Sequence, residues 1–204
     1  MNSSASTYRM RARADAVEAT RERLLQAAIA AFGGRAYDDV TLAAVAREAE
    51  VSHQTLLNHF GSKEGLYMAA VERVGGRIGE IRASAIPGDV ASIVGVLMDQ
   101  YEQFGDGNAR AAALDERSQA VAAMLAGARA YHQRWLAEMF GAYVPVSGAA
   151  RRHALAALHV ATDVFTWKLL RRDLGLSRRA TSDTMTRLVS ALLTGAPADA
   201  RRSR

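Results

Sequence analysis

VSHQTLLNHFGSKEGL, residues Val51–Leu66, is the stretch on which the fold turns. Ser52 stands where a helix N-cap belongs, Leu56 and Phe60 recur at i and i+4, and Gly61 closes the run. The spacing predicts a helix from Ser52 through His59, with Ser62 capping the next one. Just upstream, Thr41 caps a short helix through Glu48 that turns Leu42, Val45 and Ala46 inward. Helix, tight turn, helix at this spacing is a helix-turn-helix. Ala46 is small enough for a close helix crossing, and Val51 and Leu56 set the steep angle of the second helix. Its outer face presents Ser52, His53, Gln54, Leu57 and Asn58. Side chains of that length reach base edges from a helix lying in the major groove. Gln and Asn match the donor–acceptor pair of adenine, and Leu57 suits a thymine methyl.

Outward from this stretch, helical periodicity covers most of the chain. A first helix starts at Asp15 or Thr20 and runs to Phe32, with Leu24, Leu25, Ala28 and Phe32 on one face. The helix begun at Ser62 extends to about Ile86, where Pro87-Gly88 stops it. Further helices are expected over Asp89–Phe104, Ala109–Glu116, Ser118–Tyr143, Ser147–Leu174 and Ser177–Leu193, separated by GDGN, VPVSG and Gly175 among others. No strict apolar–polar alternation marks a strand, so the fold class is all-α, with about nine helices. The organisation expected is a flexible basic arm over 1–14, a three-helix domain over 15–66, a larger helical domain over 67–194 and a disordered tail over 195–204.

Of the 204 residues none is cysteine, which excludes disulfides, thiolate nucleophiles and sulfur-ligated zinc. There is no nucleophile elbow, P-loop, dinucleotide fingerprint or HExxH pair, so an enzyme is not expected. The N-terminal residues lack an apolar signal core and no apolar run reaches membrane-spanning length, so the expected location is cytoplasmic, with no membrane partner. The net charge of +5 is weak support for nucleic acid, because basic and acidic residues balance up to Glu64 and the excess lies in Arg151–Arg187 and the tail.

The segment TRERLLQAAIAAF, then YDDVTLAAVAREAEVSHQTLLNHFGSKEGLY, resembles the N-terminal domain of TetR/AcrR-type transcriptional regulators. The matching elements are Phe32, Tyr37, Thr41, Val51-Ser52, Thr55-Leu56 and His59-Phe60-Gly61-Ser62-Lys63-Glu64, within roughly Thr20–Val71. The rest of the chain matches in length and helix count only. The resemblance implies a homodimer whose last two long helices form a four-helix bundle. Its two reading helices then meet half-sites one turn (~34–36 Å) apart on a palindromic double-stranded operator. It further implies a small-molecule effector, not identified by the sequence, bound in the C-terminal domain, and release from DNA on binding. Most such proteins are repressors. No cofactor and no metal is implied.

Against that pattern three residues depart. Glu50 stands in the tight turn and Ala36 before Tyr37 where glycine is usual, each costing about 1 kcal/mol if the backbone there needs positive φ. Leu57 replaces a tyrosine whose hydroxyl resembles a phosphate contact. These departures motivate the alternative of an interaction module that has lost specific DNA binding. The lack of lysine or arginine on the reading helix is no objection, because phosphate contacts position and base contacts specify. Thr41 and Ser52, at two helix starts, hold phosphates through backbone N–H groups. Lys63, in the first turn of the fourth helix, is the best single candidate for a phosphate contact. The expected DNA-binding set is Thr41, Ser52, His53, Gln54, Thr55, Leu57, Asn58, His59 and Lys63, with Arg9, Arg11 and Arg13 reaching a minor groove. His59 is expected beside Phe60.

In the C-terminal domain, Tyr101, Trp135 and Met139 are expected to line the effector pocket, by the geometry the resemblance implies. His159 and Asp163, four apart on one helix, suit either a polar ligand group or an internal hydrogen bond, and only secondarily a metal. His132 and His153 add no ligand pattern. Leu155, Leu158, Thr162, Trp167, Leu188 and Leu192 are expected at the dimer interface, with Arg171 and Arg172 at its rim. Gly75, Gly76 and Gly79, inside the fourth helix, serve either close packing or a soft joint.

Overall fold

The computed structural model describes residues 3–112 and 119–194, with side chains from Met10 onward. The described residues are mostly helical and carry no strand. They fall into two compact units, divided between Arg77 and Ile78.

The N-terminal unit holds α1 (Ser3–Gly34), α2 (Leu42–Glu48), α3 (His53–Phe60) and the larger part of α4 (Lys63–Arg82). Helix α1 begins well before Asp15, so residues 3–14, expected as an arm, are helical. Between Ser3 and Phe32 no glycine or proline interrupts a run rich in Ala and Arg, and nothing there stops the helix. Leu24, Leu25, Ala28 and Phe32 are buried from α1, Val45 and Ala46 from α2, Leu56 from α3, and Leu66, Tyr67 and Ala70 from α4. Phe32, Tyr37 and Tyr67 form an aromatic trio, with Phe32–Tyr67 and Tyr37–Tyr67 edge-on at 5.0 and 5.2 Å. Burial and the neighbouring Tyr37 raise the phenol pKa of Tyr67, so the ring stays neutral.

Beyond Ile78 the sequence-derived boundaries change more. Helix α4 ends at Arg82, not Ile86. The helices expected over Asp89–Phe104 and Ala109–Glu116 are one, α5 (Val90–Ala112), and it runs straight through GDGN. The reason is packing: a Cβ on Gly105 would sit 2.5 Å from the Trp167 ring. The glycine makes room for an indole and does not end the helix. On the same face Glu102 pairs with Arg171 at 2.8 Å and Asp106 with Arg172 at 3.0 Å, while Arg172 stacks on Trp167 at 4.7 Å. Arg171 and Arg172 are therefore occupied within the chain. Helix α6 spans Gln119–Phe140.

The long helix expected over Ser147–Leu174 is broken. Helix α7 (Gly148–Thr162) ends at Asp163, whose backbone is extended and whose carboxylate accepts the Phe165 N–H at 2.8 Å, starting α8 (Val164–Lys168). A wide π-type turn over Leu169–Asp173 follows, then α9 (Arg178–Thr194), whose Ala180 N–H donates to Ser177 Oγ. Helix α5 packs on α8 and α9, and α7 on α6 and α9. Their core holds Leu97, Met98, Tyr101, Trp135, Leu136, Phe140, Leu158, Trp167, Met185 and Val189. The tail over 195–204 and Glu116 and Ser118 lie outside the described residues, as does the side chain of Arg9.

Candidate nucleic-acid interface and buried polar cluster

Helix α3 is built by local bonds. Ser52 Oγ accepts the Thr55 N–H at 3.0 Å and lies 2.8 Å from Thr55 Oγ1, while Thr41 Oγ1 accepts the Ala44 N–H at 3.2 Å. Each cap satisfies a helix-start donor and leaves other first-turn N–H groups facing outward. Thr41, Ser52, His53, Gln54 and Asn58 are exposed; Thr55, Leu57 and His59 are half-buried. Gln54 Nε2 donates to Asn58 Oδ1 at 2.9 Å, so the two amides one turn apart form a single polar ledge. His59 lies beside Phe60 with ring centroids 6.0 Å apart.

Lys63 is placed by the aromatic trio. Its ammonium sits 4.5 Å from the centre of the Tyr37 ring and donates to the Asp38 carbonyl at 3.3 Å. An ammonium has three donors, so this tether positions the charge at the start of α4 and leaves donors to spare. The loop before it depends on Gly65, which sequence reasoning passed over. A Cβ there would lie 2.2 Å from the Phe60 carbonyl oxygen.

The turn between α2 and α3 requires positive φ at Glu50, which has φ 55°. The strain expected there is present. At Ala36 the backbone is extended, with φ −63° and ψ 148°, so the cost considered for that position does not arise. Arg23 Nε donates to the Ala49 carbonyl at 3.3 Å, tying the turn to α1.

In the C-terminal unit, Tyr101 and Trp135 are buried, 3% and 5% exposed, and Met139 packs against the same core. His159 Nε2 and Asp163 Oδ2 lie 3.3 Å apart, so this pair closes on itself. Burial works to raise the Asp163 pKa, but the His159 hydrogen bond and the Phe165 N–H outweigh it and hold the carboxyl below its usual range. No group of three metal-ligating side chains occurs among the described residues.

Around these lies a polar cluster that sequence patterns did not single out. Arg82, Gln100, His132 and Thr162 are all under 8% exposed. Arg82 Nε donates to Gln100 Oε1 at 2.8 Å, and its guanidinium lies over Trp135 at 4.6 Å and Tyr131 at 5.2 Å. Tyr101 Oη donates to the Thr162 carbonyl at 2.7 Å. His132 Nε2 lies 3.0 Å from Thr162 Oγ1, and the His132 and His159 rings meet edge-on at 4.7 Å. Burial first, then the charges of Arg82 and His159, pull the His132 pKa down to about 3 against the opposing pull of Asp163. The only sequence hint was polar residues in otherwise apolar helix faces.

Of the residues expected at a dimer interface, Leu158, Thr162 and Trp167 are buried within this one chain, at 0–1% exposure. Trp167 is in the core because α8, restarted at Asp163, packs on α5, and Leu158 and Thr162 are there because α7 packs on α6 and α9. Leu155 also packs on that core, whereas Leu188 and Leu192 are exposed at 43% and 38%. Val160, Phe165 and Leu169 are exposed as well. A Cβ on Gly75, Gly76 or Gly79 would meet nothing within 4 Å, so close packing within this chain does not account for them. Among the described residues no helix is long and apolar enough to cross a membrane.

Residues 24–70 match the family model described as bacterial regulatory proteins, tetR family. No curated protein matches the chain. Among solved structures it is similar to a transcriptional regulator from Rhodococcus sp. RHA1, with TM-score 0.71 and 16% identity over 86% of this chain and 96% of that one. A tetR-family regulator from Streptomyces coelicolor gives TM-score 0.65 and 19% identity over 89% of this chain and 91% of that one. A TetR-like regulator from the same Rhodococcus gives 0.63 and 21% identity, covering 86% of this chain and 96% of that one. At these identities the likeness is one of fold. Residues 24–70 are thus similar to the tetR-family model, and the chain shares its fold with solved regulators described as TetR-family.

Proposed function

We propose that the protein is a homodimeric transcriptional regulator that binds a palindromic operator as a repressor and leaves it when a small molecule fills the C-terminal unit. The observation that carries this reading is the exposed ledge of Ser52, His53, Gln54 and Asn58 on a capped α3, inside the segment matching the tetR family. Gln54 and Asn58 read adenine edges, Leu57 meets a thymine methyl, and Thr41, Ser52 and Lys63 hold phosphates. Thr55 and His59 support that face from its half-buried side. The exposed apolar residues Val160, Phe165, Leu169, Leu188 and Leu192 on α7 to α9 suit an isologous interface. Gly75, Gly76 and Gly79 flank the boundary at Arg77–Ile78 and weaken α4 there, which suits a joint that transmits effector binding. Nothing in this reading requires a catalytic residue.

Selection of bound fragments from the source genome, followed by gel shifts, tests it. A palindromic fragment should give one retarded species that weakens steeply as salt rises. Lys63→Ala should weaken all sequences alike and lower the salt slope, while Gln54→Ala should relax preference at one position of each half-site. No discrete complex with any genomic fragment would overturn the reading in favour of an interaction module. Separately, if Gly75→Ala with Gly76→Ala leaves effector-driven release unchanged, α4 is not the joint.

A further inference from the structure

A buried guanidinium normally faces a carboxylate, because withdrawing its charge from water is costly. Arg82 is 5% exposed, yet among the described residues no Asp or Glu lies within ion-pair distance of it. Its polar partner is the neutral amide of Gln100, its Nη1 is buried with no hydrogen-bond partner, and two ring faces supply the remaining stabilisation. Ring faces and one amide oxygen offset part of a desolvated charge and leave Nη1 without an acceptor. Burial lowers the Arg82 pKa, but a guanidinium starts so high that it remains charged.

The neighbouring histidines are incomplete in the complementary sense. Thr162 has one hydroxyl proton, which it gives to the Leu158 carbonyl at 2.7 Å, so its oxygen receives the His132 Nε2–H. His132 Nδ1 is then a bare lone pair, buried and without a partner. His159 Nδ1 is likewise buried and without a partner, its Nε2 being directed to Asp163. His132 and Arg82 both lie against Trp135. One indole is thus bordered by a cationic fork that lacks an anion and by an imidazole that lacks a donor.

We infer that Arg82 anchors the effector through a carboxylate, and that the effector is a small organic acid with an apolar body lying against Trp135. A hydroxyl on that body would donate to His132 Nδ1. The side chain that must yield to admit it is Tyr131, 37% exposed, the outer of the two rings over Arg82. This deepens the effector-responsive reading above and rests on it.

The test uses the full chain with phenylacetate, 4-hydroxyphenylacetate, 4-phenylbutyrate and decanoate, each beside its neutral primary amide, in thermal-shift and calorimetric titrations. At least one acid should raise the melting midpoint and its amide should not. Arg82→Lys, which keeps the charge but not the fork, should bind that acid about tenfold more weakly, and Arg82→Met about a hundredfold more weakly. Without ligand, Arg82→Met combined with Gln100→Leu should melt at or above the wild-type midpoint, since it removes an unpaired buried charge and its amide partner together. The inference falls if no acid shifts the midpoint, if amides act as the acids do, if the shift survives in Arg82→Met, or if the double variant melts below wild type. A gel shift of the selected fragment with and without the acid separates the two readings. Acid binding with DNA retained leaves the anion site standing and removes effector-driven release. Normal DNA binding with no acid bound removes the anion site and leaves the regulator.

Discussion

The two units use polar side chains in opposite ways. Up to Arg77 the polar groups that matter are exposed and held by neighbours three or four residues away: Thr41 with Ala44, Ser52 with Thr55, Gln54 with Asn58. Beyond Ile78 they are buried and held across the fold: Arg82 with Gln100, His132 with Thr162, Tyr101 with Thr162, 18, 30 and 61 residues apart. Exposed donors and acceptors stay hydrated and exchange partners cheaply, which the proposed DNA-reading face would need. Buried ones stay dry, where each unmet bond is costly and any partner that meets it gains most.

The largest effect that would break this contrast is in the C-terminal core. Trp167 is fully buried against Gly105 and beneath Arg172, so Trp167→Ala should cost about 3–5 kcal/mol. Both tryptophans, Trp135 and Trp167, lie beyond Ile78, so in this variant the fluorescence of Trp135 alone follows that unit in urea. A loss below 1 kcal/mol would mean that α5 and α8 do not pack through this ring.

Next in size is a pH effect confined to the dry side. His132 is neutral when folded, its pKa near 3 against 6.5 unfolded, so as pH falls the unfolded chain takes up the proton first. Stability is therefore full above about pH 6.5 and is lost progressively toward pH 3, by about 2 kcal/mol between pH 7 and 5. Urea unfolding read by tryptophan fluorescence at the two pH values should show this loss, and His132→Gln should flatten it. An unchanged slope in that variant would move the acid sensitivity elsewhere, to carboxylates such as Glu102 and Asp106, whose pKa values are also lowered.

The same contrast explains what was legible in the sequence. Caps, turn residues and the exposed face of α3 are short-range signals, and Thr41, Ser52, Gly61 and Lys63 stand at the helix ends where the pattern put them. The C-terminal boundaries failed where a residue had a long-range reason to be there. Gly105 looks like a helix breaker until Trp167 is known to press on it from 62 residues away. Asp163 looks like one half of a polar pair on a continuous helix, yet it caps a new helix and turns Trp167 inward. Residues 3–14 differ for a simpler reason: their basic charge suggests an arm, while intrinsic helix preference continues into α1. Arg82 and His132 left no spacing signal, because their partners come from other helices.

On the wet side the expected effects are smaller, because local bonds are replaceable by water. Ser52→Ala removes the cap on Thr55 N–H and should cost about 1 kcal/mol. It should also weaken operator binding for all sequences if Ser52 holds a phosphate. Gel shifts in which only one base preference changed would instead make Ser52 a reader.

Glu50 gives the smallest and sharpest case. Its φ of 55° places an L side chain in the left-handed region, which costs about 1 kcal/mol that glycine does not incur. Glycine loses more chain entropy on folding, so the net gain from Glu50→Gly should be a few tenths to about 1 kcal/mol. The turn itself is held by backbone, with Glu50 N–H to the Arg47 carbonyl at 3.1 Å and Val51 N–H to the Ala46 carbonyl at 2.9 Å. The substitution leaves those bonds and the α3 ledge in place, so sequence preference in a gel shift should not change while urea unfolding followed by far-UV circular dichroism moves slightly upward. A loss of stability would show that the carboxylate, not the backbone, sets this turn. The strained glutamate would then be part of how α3 is aimed.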